Sequence, residues 1–279
     1  MFTTLIDCRS LEEFLDREDW VIVDTRFNLA DKTAGHRAYL EGHIPGAVYT
    51  DLEKDLSGQA GPATGRHPVP DAARLAEVFS RLGIGPDTQV VAYDDAGGSI
   101  AARLWWLLHY LGHDAAAVLD GGWAEWKARG FASESGQGPD RPPAAFQGRP
   151  RDAWLVTAAE VPDAARLIDS REPDRYAGDR EPIDPVAGHI PGAVNYYWRR
   201  NLDENGHFRP AQEVRRDLLM ALGEVPAEEA VFYCGSGVTA CHNLLAAAWA
   251  GLPPPRLYAG SWSEWCRDPR RPVAVSARR

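Results

Sequence analysis

The stretch Gly42-His43-Ile44-Pro45-Gly46-Ala47-Val48 recurs without a change as Gly188-His189-Ile190-Pro191-Gly192-Ala193-Val194. Two further segments recur in the same order, one on each side of this stretch. They are VIVDTR (Val21–Arg26) with RLIDSR (Arg166–Arg171), and GGWAEW (Gly121–Trp126) with GSWSEW (Gly260–Trp265). Because both order and spacing are retained, the chain is a tandem duplication.

Each copy alternates short runs rich in β-forming residues with longer runs of helical periodicity. The runs in the first copy are VIVDT, LAEVFSRLG, QVVAYD, IAARLWWLLHYLG and AAVLDGG, and the second copy repeats the alternation. Strands that alternate with helices form a parallel sheet covered by helices. The sequence therefore predicts an α/β protein made of two similar domains, each a mainly parallel sheet flanked by helices.

The boundary between the copies is marked by composition. Residues 133–151 (SESGQGPDRPPAAFQGRPR) are rich in Gly, Pro and polar residues and lack an apolar period. Such a segment is typical of a linker. We therefore expect a first domain over residues 1–132, a linker over 133–151 and a second domain over 152–279.

Composition limits the possible partners. The 279 residues carry 30 Lys and Arg against 40 Asp and Glu, a formal net charge of −10, which disfavours binding to nucleic acid. A small anionic substrate would need arginines and backbone N–H groups placed close to it. The chain contains no apolar run of the ~20 residues that a membrane span requires, so no membrane association is expected.

The N-terminal residues and the cysteines both indicate a cytoplasmic protein. The first residues, MFTTLIDCRSLEEF, turn acidic and do not form a secretory signal. The four cysteines (Cys8, Cys234, Cys241 and Cys266) form no CxxC pair, which fits reduced thiols better than disulfides or a zinc site. No metal is expected.

The two copies differ where a chemical role would lie. After the strand QVVAY the first copy has Asp94, whereas after AVFY the second has Cys234 followed by a glycine-bearing loop and a helix. The carboxyl end of a strand in an open α/β sheet is where ligands bind. Loop N–H groups and the helix end would stabilise a thiolate there. We expect Cys234 to be an accessible nucleophile and the other three cysteines to be packed inside.

Residues shared by the copies are expected to serve the fold. The histidines of the two GHIPGA turns are more consistent with structural roles than with catalysis, and the repeated tryptophans with core packing. These residues are His43, His189, Trp123, Trp126, Trp262 and Trp265.

The duplicated GHIPGA turns, Cys234 at the head of CGSGVTA, and the closing GSWSEW resemble the tandem-domain rhodaneses, the thiosulfate and 3-mercaptopyruvate sulfurtransferases. The resemblance extends from about Thr4 to Pro272. It implies two rhodanese-like domains, the first catalytically inactive because Asp94 stands at the cysteine position. It also implies that Cys234 takes sulfur from a small anionic donor as a persulfide and passes it to a thiol or cyanide. The persulfide would lie among loop residues that bind substrate: Gly235, Gly237, Val238, Thr239 and Ala240.

The same resemblance implies further site residues. Arg175 matches a substrate-binding arginine of the family, and Arg180 is the arginine nearest the position of a second one. In the mercaptopyruvate enzymes a serine, a histidine and an acid polarise the substrate carbonyl. Ser236 and His67 match the first two, and Glu53 stands at the position of the acid, where the family has aspartate.

Several alternatives remain open from the sequence. The loop lacks the basic residues of the thiosulfate branch, which favours 3-mercaptopyruvate, but the acidic segment EPIDPV departs from the mercaptopyruvate pattern. A cysteine phosphatase would need an arginine where Ala240 stands. A persulfide carrier without turnover would use the same cysteine. The thiol acceptor could be thioredoxin or a low-molecular-weight thiol, and no cofactor beyond the persulfide is expected.

Overall fold

Apolar strands covered on both faces form the centre of each copy. The strands β2 (Trp20–Asp24) and β4 (Gln89–Tyr93) consist wholly of buried residues, as does β8 (Ala230–Tyr233). Continuous apolar runs of this kind are typical of parallel strands with helices on both faces. The predicted strand segments VIVDT, QVVAYD and AVFYC are therefore confirmed as the central strands.

The computed structural model describes residues 1–276, which fall into two units. The first contains residues 1–58, 70–151 and 202–208, and the second contains 59–69, 152–201 and 209–276. Residues 133–151, for which the sequence predicts a linker, are part of the first unit. There Glu134 exchanges backbone hydrogen bonds with His43, and Phe146 is buried.

The first unit is a five-stranded sheet in which all neighbouring strands run parallel. The strand order is β1-β5-β4-β2-β3. Its remaining strands are β1 (Leu5–Ile6), β3 (Val48–Tyr49) and β5 (Ala116–Leu119). Its helices are α1 (Cys8–Glu12), α2 (Ala34–Glu41), α3 (Ala72–Arg81), α4 (Ala101–Tyr110) and α5 (Gly122–Ala128).

The second unit repeats this architecture with four parallel strands, in the order β7-β6-β8-β9. Its remaining strands are β6 (Arg166–Asp169), β7 (Val194–Asn195) and β9 (Arg256–Leu257). Its helices are α6 (Pro173–Ala177), α7 (Ala211–Leu222), α8 (Ala240–Trp249) and α9 (Ser261–Trp265). The α/β fold with two parallel sheets flanked by helices is as predicted.

A buried ion pair explains why both copies keep the same motifs. In the second unit, Arg171 pairs with Asp169 at 2.7 Å and donates to the carbonyl of Gly188 at 2.6 Å. Arg26 binds Asp24 and the Gly42 carbonyl in the same way in the first unit. The arginine thus joins the end of a central strand to the GHIPGA turn, and its charge is compensated inside the core.

The turn histidines and the repeated tryptophans serve the fold, as expected. The Nδ1 atoms of His43 and His189 donate to the carbonyls of Tyr39 and Tyr176, and each ring stacks on that tyrosine. The four repeated tryptophans are buried: Trp123, Trp126, Trp262 and Trp265. Within residues 1–276, none of the helices has the length and apolar character needed to cross a membrane.

Candidate active site

The Cys234 loop joins the end of β8 to the start of α8. The backbone N–H of Gly237 donates to Cys234 Sγ at 3.2 Å, so the loop curls around the sulfur. Gly237 has φ +77°, and a Cβ there would lie 2.4 Å from the carbonyl oxygen of Ala259. Glycine is therefore required at this position both for backbone conformation and for space.

The first turn of α9 fixes the cysteine from the opposite side. The N–H of Cys234 donates to Ser261 Oγ at 3.1 Å, and the N–H of Trp262 donates to the Cys234 carbonyl at 3.0 Å. The N–H of Ser263 binds the Gly235 carbonyl at 2.9 Å. These bonds pair the polar backbone groups next to the sulfur and hold the loop in one conformation.

The cysteine is more enclosed than the sequence indicates. Cys234 is 1 % exposed, so the expectation of an openly accessible thiol is wrong. The physical reason is the closure of the loop and of the α9 N-terminus around the sulfur. Val238 and Ala240 are also buried, whereas Thr239 is partly exposed, and Ala240 is the first residue of α8.

The corresponding loop of the first unit shows what such a loop binds. Asp94, at the position of Cys234, is buried, and its two carboxylate oxygens accept backbone hydrogen bonds of 2.8–2.9 Å. The four donors are the N–H groups of Ala96, Gly98, Ile100 and Ala101. A loop at this place in the domain, between a central strand and the next helix, can therefore bind a compact anion through backbone N–H groups alone. The equivalent positions in the second unit are Ser236, Val238, Ala240 and Cys241.

Ser236 and His67 are brought together, as the resemblance implies. His67 Nδ1 lies 2.8 Å from Ser236 Oγ, and both residues are buried. The segment 59–69 reaches the loop because the backbones of Gly65 and Gly260 pass close together. A Cβ on Gly65 would lie 2.4 Å from the carbonyl oxygen of Gly260. The N–H of Arg66 also donates to Ser263 Oγ at 3.0 Å.

Arg175 is buried next to the loop within a chain of ion pairs. Its guanidinium pairs with Glu181 at 2.7 Å and with Asp184 at 3.3 Å, and Asp184 also pairs with Arg66. A Cβ on Gly235 would lie 3.1 Å from Arg66 Nη2 and 3.6 Å from Arg175 Nη2. Two guanidinium groups therefore flank the residue that follows Cys234.

The two acids in this chain respond differently to their surroundings. Burial raises the pKa of Asp184, although the charge of Arg66 opposes the shift. Burial alone would also raise the pKa of Glu181, but the hydrogen bonds from Arg175 and from backbone amides outweigh it, and the pKa is lowered. Glu181 therefore pairs with Arg175 as a carboxylate whose pKa is lowered, whereas the pKa of Asp184 is raised, so Asp184 is the acid that takes up a proton more easily.

Arg180 lies on the surface of the second unit, and Glu53 has an ion pair within the first unit. The side chain of Arg180 is 54 % exposed and pairs with Asp174 at 2.6 Å, so it is not one of the two guanidinium groups beside Gly235. Glu53 belongs to the first unit, where its carboxylate pairs with Lys32 at 2.8 Å. The orientation of His67 by an acid stays a prediction.

Anion-binding groups, rather than metal ligands, gather at this loop. Among residues 1–276, no three His, Cys, Asp or Glu side chains are placed to hold one metal ion. Along the Cys234 loop lie backbone amides, the hydroxyl of Ser236 with the imidazole of His67, and two guanidinium groups held by buried acids. They suit a small substrate that carries negative charge and a carbonyl or sulfonyl oxygen.

Sequence reasoning missed Arg66 and Asp184. Arg66 directly precedes His67 in GRHPVP, and Asp184 lies in the acidic segment EPIDPV, which the sequence shows only as a departure from a family pattern. The sequence offers one signal for Arg66, a basic residue directly beside a candidate catalytic histidine, and its pairing with the buried Asp184 is visible only in the structure.

The comparison with protein families gives the class. The family described as "Rhodanese-like domain" matches residues 3–129 and again 152–268. The chain therefore belongs to the rhodanese family, in its two-domain form, and it is an enzyme of the sulfurtransferase class.

Particular relatives carry that class in their names. The chain is 49% identical to a Pseudomonas aeruginosa protein named "Probable 3-mercaptopyruvate sulfurtransferase", covering 97% of this chain and 98% of that one. It is 35% identical to the thiosulfate sulfurtransferase of the same organism, covering 88% and 90%. The solved structure of 3-mercaptopyruvate sulfurtransferase from Leishmania major superposes with a TM-score of 0.85 at 32% identity, covering 97% of this chain and 76% of that one.

Proposed function

We propose that this sulfurtransferase uses Cys234 as its nucleophile and carries the transferred sulfur as a persulfide on that residue, with 3-mercaptopyruvate as the preferred donor. The observation that carries the proposal is the Gly237 amide directed at Cys234 Sγ at 3.2 Å, in a loop whose counterpart binds the Asp94 carboxylate with four amides. Amide donors that stabilise a carboxylate also stabilise a thiolate or a persulfide anion.

In the first half-reaction the Cys234 thiolate attacks the sulfur of the donor. With 3-mercaptopyruvate, a new S–S bond forms, the C–S bond breaks, and the donor's thiol proton ends on the methyl carbon of pyruvate. With thiosulfate, the S–S bond of the donor breaks and sulfite leaves with its electron pair. In both cases the enzyme keeps one sulfur atom as Cys234–S–S⁻, and the charge balances.

In the second half-reaction an acceptor removes the outer sulfur. A thiolate attacks it and leaves as a persulfide, or cyanide attacks it and leaves as thiocyanate, and the Cys234 thiolate is restored. Because Cys234 is 1 % exposed, a low-molecular-weight thiol or cyanide fits the site better than a protein such as thioredoxin. The two half-reactions predict ping-pong kinetics.

Ser236 and His67 support a donor with a carbonyl group. Their hydrogen bond of 2.8 Å gives the Ser236 hydroxyl a partner for proton sharing, and a hydroxyl aimed at a carbonyl oxygen stabilises the charge that develops there. Thiosulfate has no carbonyl and gains less from this pair. The higher identity to the mercaptopyruvate relative, 49% against 35%, supports the same preference.

The remaining parts of the proposal follow from this chemistry. The persulfide is the reaction's own intermediate, so the enzyme works without a further cofactor or metal. The first unit, with Asp94 in place of cysteine, does not transfer sulfur. We place the enzyme in the cytoplasm, where thiols remain reduced.

Steady-state kinetics with the two donors test the proposal. We expect many turnovers of pyruvate from 3-mercaptopyruvate, a higher kcat/KM for this donor than for thiosulfate, and loss of both activities in Cys234→Ser. Cys8→Ala, which removes a buried cysteine of the first unit, is the matched control and should keep both activities. A single equivalent of sulfur loaded without turnover would instead identify a carrier.

A further inference from the structure

An apolar groove of about 370 Å³ opens at the surface of the second unit. Its floor is formed by four buried side chains: Val161, Leu167, Ile190 and Trp265. Leu167 lies near the start of β6, at the amino end of the sheet, whereas the Cys234 loop follows the carboxyl end of β8, a strand parallel to β6. The groove is therefore separate from the candidate active site, and its volume is in the range of small-molecule sites.

The first unit fills the corresponding place with its own aromatic side chains. Three of the floor residues have counterparts in the recurring segments, which are Ile22 for Leu167, Ile44 for Ile190 and Trp126 for Trp265. These counterparts belong to one buried cluster, against which Phe14 and Phe131 pack. The ring centroids of Phe14 and Trp20 are 4.3 Å apart, and those of Phe131 and Trp126 are 4.8 Å apart. Aromatic rings therefore cover the cluster in the first unit.

The second unit has small residues where the first has Trp20. Trp20 directly precedes the recurring segment Val21–Arg26, so its counterpart is Ala165, which directly precedes Arg166–Arg171. Ala164 and Ala165 both line the groove. The large ring is thus replaced by a methyl group at the edge of the open space.

The ring of Phe131 is replaced as well. Phe131 follows Trp126 by five residues, and the residue five positions after Trp265 is Arg270, whose side chain is 88 % exposed. Duplicated copies keep what the fold needs, so the loss of both rings from one copy points to a binding role for the space they leave. A groove that aromatic side chains fill in one copy suits an aromatic ring from a ligand in the other.

One arginine gives the groove its charge. Arg166 lines the groove, and its Nε donates to the carbonyl of Leu222 at 3.1 Å. Within residues 1–276, no Asp or Glu forms an ion pair with Arg166, although the chain has an excess of acids. An arginine without an acidic partner beside an apolar floor complements a ligand that carries a carboxylate.

We propose that this groove binds a small aromatic carboxylate, with its ring on the floor beside Trp265 and its carboxylate paired with Arg166. The apolar floor and the size of the groove select the ring, and the unpaired charge selects the anion. The proposal is independent of sulfur transfer, because none of the residues that carry it belongs to the Cys234 loop.

Ligand-detected NMR titration of the full chain tests the site, with phenylacetate as the probe. We expect saturable binding of phenylacetate. Phenylacetamide has the same ring and no charge, so its Kd should be at least about threefold higher, the loss expected for one partly exposed ion pair.

Two variants examine the two halves of the site. Ala165→Trp restores the ring that Trp20 supplies in the first unit, so it should raise the Kd of phenylacetate at least about tenfold without lowering the melting temperature. Arg166→Gln should raise the Kd of phenylacetate about threefold or more and leave the Kd of phenylacetamide unchanged.

Three control variants should leave the Kd of phenylacetate unchanged. Ala153→Trp adds the same ring at an exposed position of the second unit outside the groove. Arg216→Gln removes an exposed arginine of that unit, and Arg175→Gln removes a cation beside the Cys234 loop. The melting temperature of each variant checks that it is folded.

The absence of saturable binding to the unmodified protein would overturn the proposal, and so would equal binding by folded Ala165→Trp. Binding that is lost in Arg175→Gln but kept in Arg166→Gln would place the probe at the Cys234 loop and would also contradict the proposal. If Ala165→Trp does not fold, the comparison of the two probes on Arg166→Gln decides. A protein that binds phenylacetate in this way but transfers no sulfur would contradict the proposed function alone.

Discussion

The Nδ1 atom of His67 lies 2.8 Å from the Oγ atom of Ser236, although 169 positions separate the two residues in the sequence. The contact forms within the second unit, to which the segment 59–69 belongs. Ser236 follows Cys234 by two residues, so a hydroxyl with a proton partner lies in the same loop as the candidate nucleophile.

This pair predicts a donor-dependent effect of mutation. Ser236→Ala should lower kcat/KM for 3-mercaptopyruvate about 100-fold, because a donor to the developing carbonyl charge is lost. The loss with thiosulfate should be at least tenfold smaller, since that donor has no carbonyl. Pyruvate and sulfite assays on the same preparation measure both values, and equal losses with the two donors would contradict the assigned role. His67→Ala should show the same ranking.

The hydrogen bonds of Asp94 lead to a prediction about the stability of the first unit rather than about catalysis. Asp94→Ala should lower the free energy of unfolding of the first unit by about 3 kcal/mol, because four backbone amides lose their acceptor. Asp94→Asn, which keeps one carbonyl oxygen, should cost less. Hydrogen exchange of the peptide covering residues 94–101 reports the change directly. Unchanged protection in Asp94→Ala would show that the carboxylate does not hold this loop.

Substitutions at Ser261 can distinguish the effect of backbone strain from the effect of its hydrogen bonds. It has φ +54°, a conformation that glycine adopts readily and that Gly122 adopts at the same position of the first unit. Its hydroxyl accepts the N–H of Cys234 at 3.1 Å and donates to the Tyr258 carbonyl at 3.0 Å. Both Ser261→Gly and Ser261→Ala remove these bonds, but only the alanine variant keeps the strain.

We therefore expect Ser261→Gly to be more stable than Ser261→Ala by about 1 kcal/mol, while both lose a similar fraction of kcat. Urea unfolding and sulfur-transfer assays on the two variants measure these quantities. An alanine variant as stable as the glycine variant would show that the left-handed backbone at this position carries no strain.

His109, in α4, predicts how stability depends on pH. Burial lowers the pKa of its imidazole from 6.5 to about 4, although Asp114 opposes the shift at 3.2 Å. Between these two values the unfolded chain binds a proton that the folded chain does not. Stability should therefore fall as the pH is lowered from 6.5 to 4, by up to about 3 kcal/mol.

Melting temperatures measured over this pH range check the effect of His109. His109→Gln should flatten the pH dependence, whereas His36→Gln, which removes an exposed histidine of the same unit, should leave it unchanged. The same slope in His109→Gln as in the unmodified protein would assign the dependence to other groups.

The sequence was sufficient for the features that repeat or contrast within the chain. The duplicated GHIPGA turns predict two similar domains, because each turn is joined to a central strand by the same arginine, Arg26 or Arg171. The contrast between Asp94 and Cys234 locates the candidate nucleophile. Each of these signals is visible when two short segments of the sequence are compared.

Features that depend on distant segments could not be found in this way. Arg66 reaches the loop through the close approach of Gly65 to Gly260, and no local pattern encodes that approach. The pairing of Asp184 with both Arg66 and Arg175 joins segments far apart in sequence. The enclosure of Cys234 by α9 likewise depends on tertiary packing.

The central claim is that Cys234 carries the transferred sulfur. Its most direct test is the mass of the peptide containing Cys234 after brief exposure of the protein to 3-mercaptopyruvate without an acceptor. We predict an added mass of one sulfur atom on that peptide, which disappears when cyanide is added and is absent from the peptides of Cys8 and Cys266. Pyruvate released in many turnovers with no added sulfur on Cys234 at any time would contradict it.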